Sequence, residues 1–183
     1  MTAISLSLAN QVAVGAACGV GNFLFSTVCQ KTCMLAGVKF AEIEDEDDVP
    51  ASEQLDKHFW DIVVKWPIAE ELVFRAVLQP SLANGFLLFM PQLAAPALLG
   101  IPIANVVSTA VVGTGFGIIH YFAYKSGGKE VALIGSITGS SYGMIKERFG
   151  LATSISAHII HNFMTGWLDK HYPAFLDSSS KPK

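Results

Sequence analysis

Long apolar stretches divide the chain into segments of membrane-spanning length, separated by short polar runs. Ile4 to Val28 contains no charged side chain. It exceeds the roughly 20 residues one crossing needs and predicts a first transmembrane helix. Lys31 and Lys39 mark its exit into water. Glu42 to Asp48 then places six acids in seven residues, and like charges at that density stay hydrated, which predicts a solvent loop. His58 to Lys65 sets Phe59, Trp60, Ile62, Val63 and Val64 against Asp61 and Lys65. This predicts an amphipathic approach helix, with Trp60 and Trp66 at a membrane interface. Pro67 suits a first helical turn, where its missing N–H costs nothing. The pattern predicts a helix from there to about Gln79, ended by Pro80 and the Asn84-Gly85 pair.

Phe86 to Leu99 is apolar but interrupted by Pro91 and Pro96, and a kinked span, a re-entrant segment and an interfacial one all fit it. Ile103 to Tyr124 is a cleaner span, with Gly113, Gly115 and Gly117 in its middle. A turn follows over Lys125 to Glu130. Val131 to Ile145 carries Gly135, Gly139 and Gly143 at four-residue intervals, with Ser136 and Ser140 beside them. That stripe predicts a face on which a neighbouring helix packs closely, and Gly15 and Gly19 hint at the same in the first span. Lys146-Glu147-Arg148 closes the segment. Leu151 to Leu168 is the last span, with Trp167 as an interface anchor, and the tail from Asp169 reads as disordered. The expected architecture is an all-α, polytopic transmembrane helical bundle of about five to six membrane segments, with a polar cavity inside. Residues 1–57 form a terminal helix and acidic loop, 58–168 the core, and 169–183 the tail.

Composition agrees with burial in lipid. Hydrophobic residues make up 51% of the chain and charged residues 15%, against roughly 25% charged in ordinary soluble domains. The net charge of -3 leaves no basic footprint for nucleic acid. Cys18, Cys29 and Cys33 match no zinc or redox spacing and read as packing residues. Residues 1–10 lack the positive charge of a cleaved secretory signal. Lys125, Lys129, Lys146, Arg148 and Lys170 fall in successive loops, which leaves orientation open.

Against this background a few polar groups stand out inside apolar helices: Glu70, Glu71, Arg75, His120, His158, His161 and Asn162. A charge at a helix centre costs roughly 2.5 to 3.5 kcal/mol on insertion scales, so these groups must face one another or a wet cavity. Glu71 and Arg75 are four apart with the acid first, the better order for a helical ion pair. Glu70 sits about 100° round the same turn and is uncommitted. Phe116 and His120 share a helix face, as do His158 and Asn162. Glu70 is a candidate general base for a trapped water, and His120 can hold that water and pass a proton to a leaving amine. His158 and Asn162 carry N–H donors suited to an oxyanion. Each element also has a plain structural reading: an orienting ion pair, a satisfied histidine, hydrogen bonding between helices. A glutamate and several histidines are zinc-ligand types too, although no compact HExxH spacing occurs.

Glu70-Glu71-x-x-x-Arg75, Phe116-x-x-x-His120 and His158-x-x-x-Asn162 resemble, in order and spacing, the motifs of the CPBP family. That family comprises type II CAAX prenyl endopeptidases and bacteriocin-processing or self-immunity proteins. The resemblance covers about Trp60 to Trp167. It implies that Glu70 activates water together with His120, that His158 and Asn162 form an oxyanion hole, and that Glu71 and Arg75 are a supporting pair. It implies a metal-independent glutamate protease and no cofactor, with zinc ranked second; His161 would be at most a supporting residue. The expected partners are a peptide or protein substrate in or at the membrane and the lipid bilayer itself. The expected location is a multi-pass membrane protein, in the plasma membrane of a bacterium or the endoplasmic reticulum of a eukaryote. The rival classes are a non-proteolytic immunity or scaffold protein and an ion or proton transporter, the latter without an inverted repeat to recommend it.

Overall fold

The computed structural model describes residues 6–35, 58–123 and 128–172. The acidic run, residues 124–127 and the tail from residue 173 lie outside these, while Gly128 to Glu130 of the expected turn are the first residues of a helix. Five long helices fill the described residues: α1 (Leu8–Leu35), α2 (Trp60–Phe89), α3 (Ile103–Ala123), α4 (Gly128–Phe149) and α5 (Leu151–His171). No strand occurs among them. The helical membrane bundle expected from the pattern is thus the fold observed. Of the five, α1 through Cys33, α2 and α3 are long and apolar enough to cross a membrane by length and composition. In α4 and α5 the glycines, hydroxyls and histidines of the interior lower the mean.

The boundaries of α2 correct the expected ones. The approach helix and the Pro67 helix are one continuous rod, and it runs through Pro80 and Asn84-Gly85 to Phe89. The reason lies in two wide, π-helical turns, Trp60–Lys65 and Leu72–Leu78, each ending two residues before a proline. There the Trp66 N–H bonds to the Asp61 carbonyl and the Gln79 N–H to the Phe74 carbonyl, five residues back instead of four. A proline inside a regular helix lacks its N–H and clashes with the carbonyl four residues earlier. Widening the preceding turn relieves the clash, so the helix bends its own register instead of ending.

Phe86 to Leu99 does not form a span. Its first residues complete α2. The rest, through Gly100, folds into two short 3-10 turns, Pro91–Ala94 and Leu98–Gly100, with exposed Leu98 and Leu99. Between α4 and α5 the chain reverses at Gly150, whose φ of 98° needs a residue without a Cβ. α1 extends seven residues past the expected Val28, and α5 continues to His171.

Neighbouring side chains give the helix directions. Gly15 lies beside Thr153 and Ser156, Gly19 beside Ala157 and Ile160, and Phe23 beside His161, so α1 runs parallel to α5. Gly113 meets Ser140, Gly117 meets Ser136, and Thr109 meets Gly143, so α3 and α4 are antiparallel. α2 runs antiparallel to α3 and α5 and parallel to α4, as Phe74–Phe116 with Gln79–Thr109, Glu71–Ser154 with Ile62–Asn162, and Arg75–Gly139 with Gln79–Gly143 show. At Gly113 and Gly117 a Cβ would collide with Ser140 and Ser136 of α4. The glycine stripes are therefore where backbones touch, which in lipid supplies the van der Waals packing that holds helices together.

The interior of the bundle is polar and the exterior apolar. Glu71, Arg75, Gln79, Ser108, Thr153, Ser154 and His158 are buried, while Leu24, Phe25, Val73, Val77, Val111, Ile119 and Phe122 are exposed. Water would penalise that distribution; hydrocarbon rewards it.

Candidate active site

Glu70 and Glu71 sit in the regular turn Trp66–Glu71, held between the two wide turns of α2. Consecutive helical positions diverge by about 100°, so the two carboxylates enter different surroundings. Glu70 Oε1 lies 3.8 Å from His120 Nε2 of α3, and Oε2 lies 3.6 Å from His158 Nε2 of α5. One carboxylate is thus flanked by two imidazoles from two other helices. Both gaps exceed hydrogen-bond length, a looseness common in unliganded sites. The side chains of Glu70 and His120 are 24% and 21% exposed, and that of His158 is 4% exposed. Glu70 and His120 therefore stand at the opening, with His158 behind them.

The imidazoles are oriented from their far sides. His120 Nδ1 donates to the Phe116 carbonyl one turn earlier at 2.9 Å. A carbonyl only accepts, so Nδ1 carries the proton and, in the neutral ring, Nε2 presents its lone pair toward Glu70. His158 Nδ1 lies 3.2 Å from Glu71 Oε1. Its ring stacks on Tyr142 of α4, with centroids 4.5 Å apart and planes at 18°. Phe116 is buried at the centre, 4.1 Å from the His120 ring, 5.8 Å from His158, and 5.6 Å below the Arg75 guanidinium. It is the apolar wall shared by all three groups.

Glu71 and Arg75 are fully buried and form the pair expected of them, at 3.6 Å. Arg75 Nη2 donates to the Gly139 carbonyl at 2.7 Å, and the missing side chain of Gly139 leaves room for Phe116. Ser154 donates to Glu71 Oε2 at 2.5 Å, the length of a charge-assisted O–H···O bond. The site therefore joins Glu70, Glu71, Arg75, Phe116, His120 and His158. Asn162 is engaged elsewhere: its Nδ2 donates to the Ile62 carbonyl at 3.3 Å. In the register of the wide turn that carbonyl would be served by residue 67, which is proline and has no N–H. Asn162 fills the vacancy Pro67 creates. His161 lies against Phe23 of α1 and Tyr142, with Nδ1 buried and without a hydrogen-bond partner among the described residues.

Several buried polar residues were not anticipated from sequence. Ser154 and Tyr142 are two. Gln79 is another, fully buried one turn beyond Arg75, with Nε2 reaching Thr109 Oγ1 and Glu147 Oε1 at 2.9 Å each. Asn105 Nδ2 donates to Glu147 Oε2 at 2.6 Å, and Lys146 pairs with Glu147 at 2.7 Å. The signal was present as spacing. Glu71, Arg75 and Gln79 recur every four residues, Gly143 and Glu147 continue the glycine stripe, and Ser154 precedes His158 by four. Among the described residues no group of three or more His, Cys, Asp or Glu side chains is arranged to hold a metal ion.

An ionisable cluster enclosed by helices whose outer faces are apolar makes this a membrane protein with charged groups inside the bundle. Residues 58–164, more than half of the chain and all of the site, match the family described as Type II CAAX prenyl endopeptidase Rce1-like. The chain belongs to that family of membrane proteases, and the CPBP resemblance read from the motifs is consistent with it. No curated protein and no solved structure matches the chain. α1, which contributes Asn22 as the acceptor of Ser141 and Phe23 against His161, lies outside the matched residues.

Proposed function

We propose that the protein is a membrane-embedded endopeptidase in which Glu70 activates water to hydrolyse a peptide bond of a membrane-associated substrate. The observation that carries this reading is the Glu70 carboxylate lying within 4 Å of two imidazole nitrogens on two other helices. Glu70 takes a proton from water, and the water oxygen bonds to the carbonyl carbon of the scissile peptide. The His120 Nε2 lone pair faces the same spot and holds the second water proton. As the tetrahedral intermediate collapses, the C–N bond breaks and a proton passes to the departing amine, leaving a carboxylate and an amine.

His158 and Asn162 are the proposed donors to the oxyanion. His158 Nδ1 is directed at Glu71, so it serves through Nε2 when that nitrogen also carries a proton. Asn162 has two amide protons and uses one on Ile62. The other remains for substrate. Every step uses the chain's own side chains, and no cofactor is required. The alternative, zinc with Glu70 as its base, differs in one observable: chelator should abolish cleavage.

Purified protein in nanodiscs should cleave a peptide anchored in the bilayer, and Glu70→Gln should keep its abundance and melting temperature while losing turnover. Turnover retained by that variant sinks the mechanism. In the rival immunity or scaffold reading, Glu70→Gln destabilises the fold about as much as Glu71→Gln, and partner protection survives both.

A further inference from the structure

Ser154 of α5 is fully buried one helical turn before His158, and it touches neither the opening nor Glu70. Its hydroxyl lies 2.5 Å from Glu71 Oε2 and 2.9 Å from the Tyr142 carbonyl. Glu71 in turn presents Oε1 to His158 Nδ1 at 3.2 Å. Tyr142, whose carbonyl Ser154 meets, lays its ring flat on the His158 imidazole. The hydroxyl thus stands between the two groups that fix His158, one holding the edge of the ring and one its face.

We propose that Ser154 is a positioning residue that acts through Glu71 to hold the Nδ1 proton of His158 and so aim Nε2 at Glu70. The argument is geometric. Arg75 approaches Glu71 Oε2 with Nε at 3.6 Å, longer than a hydrogen bond, so the guanidinium supplies charge but little direction. The short bond from Ser154 supplies the direction. It pins Oε2, and the planar carboxylate then has Oε1 facing His158. Without the hydroxyl, Oε2 can swing toward Arg75 and withdraw Oε1 from the imidazole. Nδ1 then loses its acceptor, and the ring no longer has a reason to keep its proton there. Tyr142 limits the ring to sliding in its own plane, so the consequence falls on protonation and aim, not on gross displacement.

This inference rests on the proposed hydrolytic role of His158 only for its kinetic consequence. Its structural half is tested without substrate. Nitrogen NMR of histidine-labelled protein in nanodiscs reads whether Nδ1 of His158 carries a proton, with the His158→Gln spectrum assigning the signals. In wild type Nδ1 should be protonated. In Ser154→Ala and in Glu71→Gln the Nδ1 signature should change, while His120, held by its own backbone carbonyl, keeps its signals. An unchanged His158 signature in Ser154→Ala overturns the proposal. With a cleavable peptide, Ser154→Ala should lower kcat about tenfold, equivalent to ~1.4 kcal/mol at the transition state, with KM within about twofold. A kcat equal to wild type overturns the kinetic half. If instead Glu70→Gln retains turnover, the hydrolytic mechanism fails while the NMR result still decides the role of Ser154.

Discussion

The polar row along α2 has two ends that obey different rules. At the Gln79 end the partners are close: Gln79, Asn105, Glu147 and Lys146 meet at 2.6 to 2.9 Å, and Gln79 itself is sealed from solvent. At the Glu70 end the contacts to His120 and His158 stretch to 3.8 and 3.6 Å around a carboxylate that is partly open. Close contacts of this kind in a low-dielectric interior stiffen the helices they join, even with Gln79 Oε1 lacking a hydrogen-bond partner among the described residues. The same residue types are thus tightly joined at one end and more widely spaced at the other, and Glu71 with Arg75 marks the changeover.

The contrast can be broken experimentally, starting where the effect is largest. Glu70→Gln should reduce kcat for a membrane-anchored peptide by about 10³-fold, within the range lost with a general base, at unchanged thermal stability. A comparable loss of stability would move Glu70 to the structural side. Arg75→Met strands the buried Glu71 charge and should cost about 3–5 kcal/mol in reversible unfolding from mixed micelles; a loss below about 1 kcal/mol would mean the pair is dispensable. Gln79→Ala leaves Glu147 and Thr109 short of a donor, and should destabilise by about 1–3 kcal/mol with cleavage per folded molecule unchanged. A drop in kcat there would join the two ends into one working unit. Gly117→Ala pushes a methyl against Ser136 and should cost about 1–3 kcal/mol, again without altering KM. The smallest effect on stability belongs to Asn162→Ala. Losing the bond to Ile62 should lower stability by about 0.5–1.5 kcal/mol, and a much larger fall in kcat would identify its second amide proton as an oxyanion donor.

How much of this could be read from the chain depends on the kind of signal. Glu71 and Arg75, Phe116 and His120, and the Gly135-Gly139-Gly143 stripe act through fixed helical spacing, and spacing survives folding. The clustering of Glu70 with two histidines followed from the scarcity of other polar groups in apolar helices. The continuity of α2 was hidden, because Pro67 and Pro80 are ordinarily boundary residues and only a widened turn carries the helix past them. Gln79 and Ser154 were hidden for another reason. Neutral side chains are cheap enough in a helix to escape notice, and Glu147 sat in a Lys-Glu-Arg triplet that resembled a solvated end. The hydrogen bond of Asn162 to Ile62 depends on which carbonyl Pro67 orphans, a fact of register that no composition reveals.

The two widened turns have a consequence for chain length. Each holds one more residue than a regular helix needs to cover the same rise, and Glu70 is suspended between them. Deleting a single residue from either turn would restore ordinary winding with little rotation of what lies beyond it, but would set Pro67 or Pro80 against the carbonyl four residues back. The extra residue in each turn is thus what lets one helix carry both prolines and still present Glu70 to His120. Function here is written in the count of residues as much as in their chemistry.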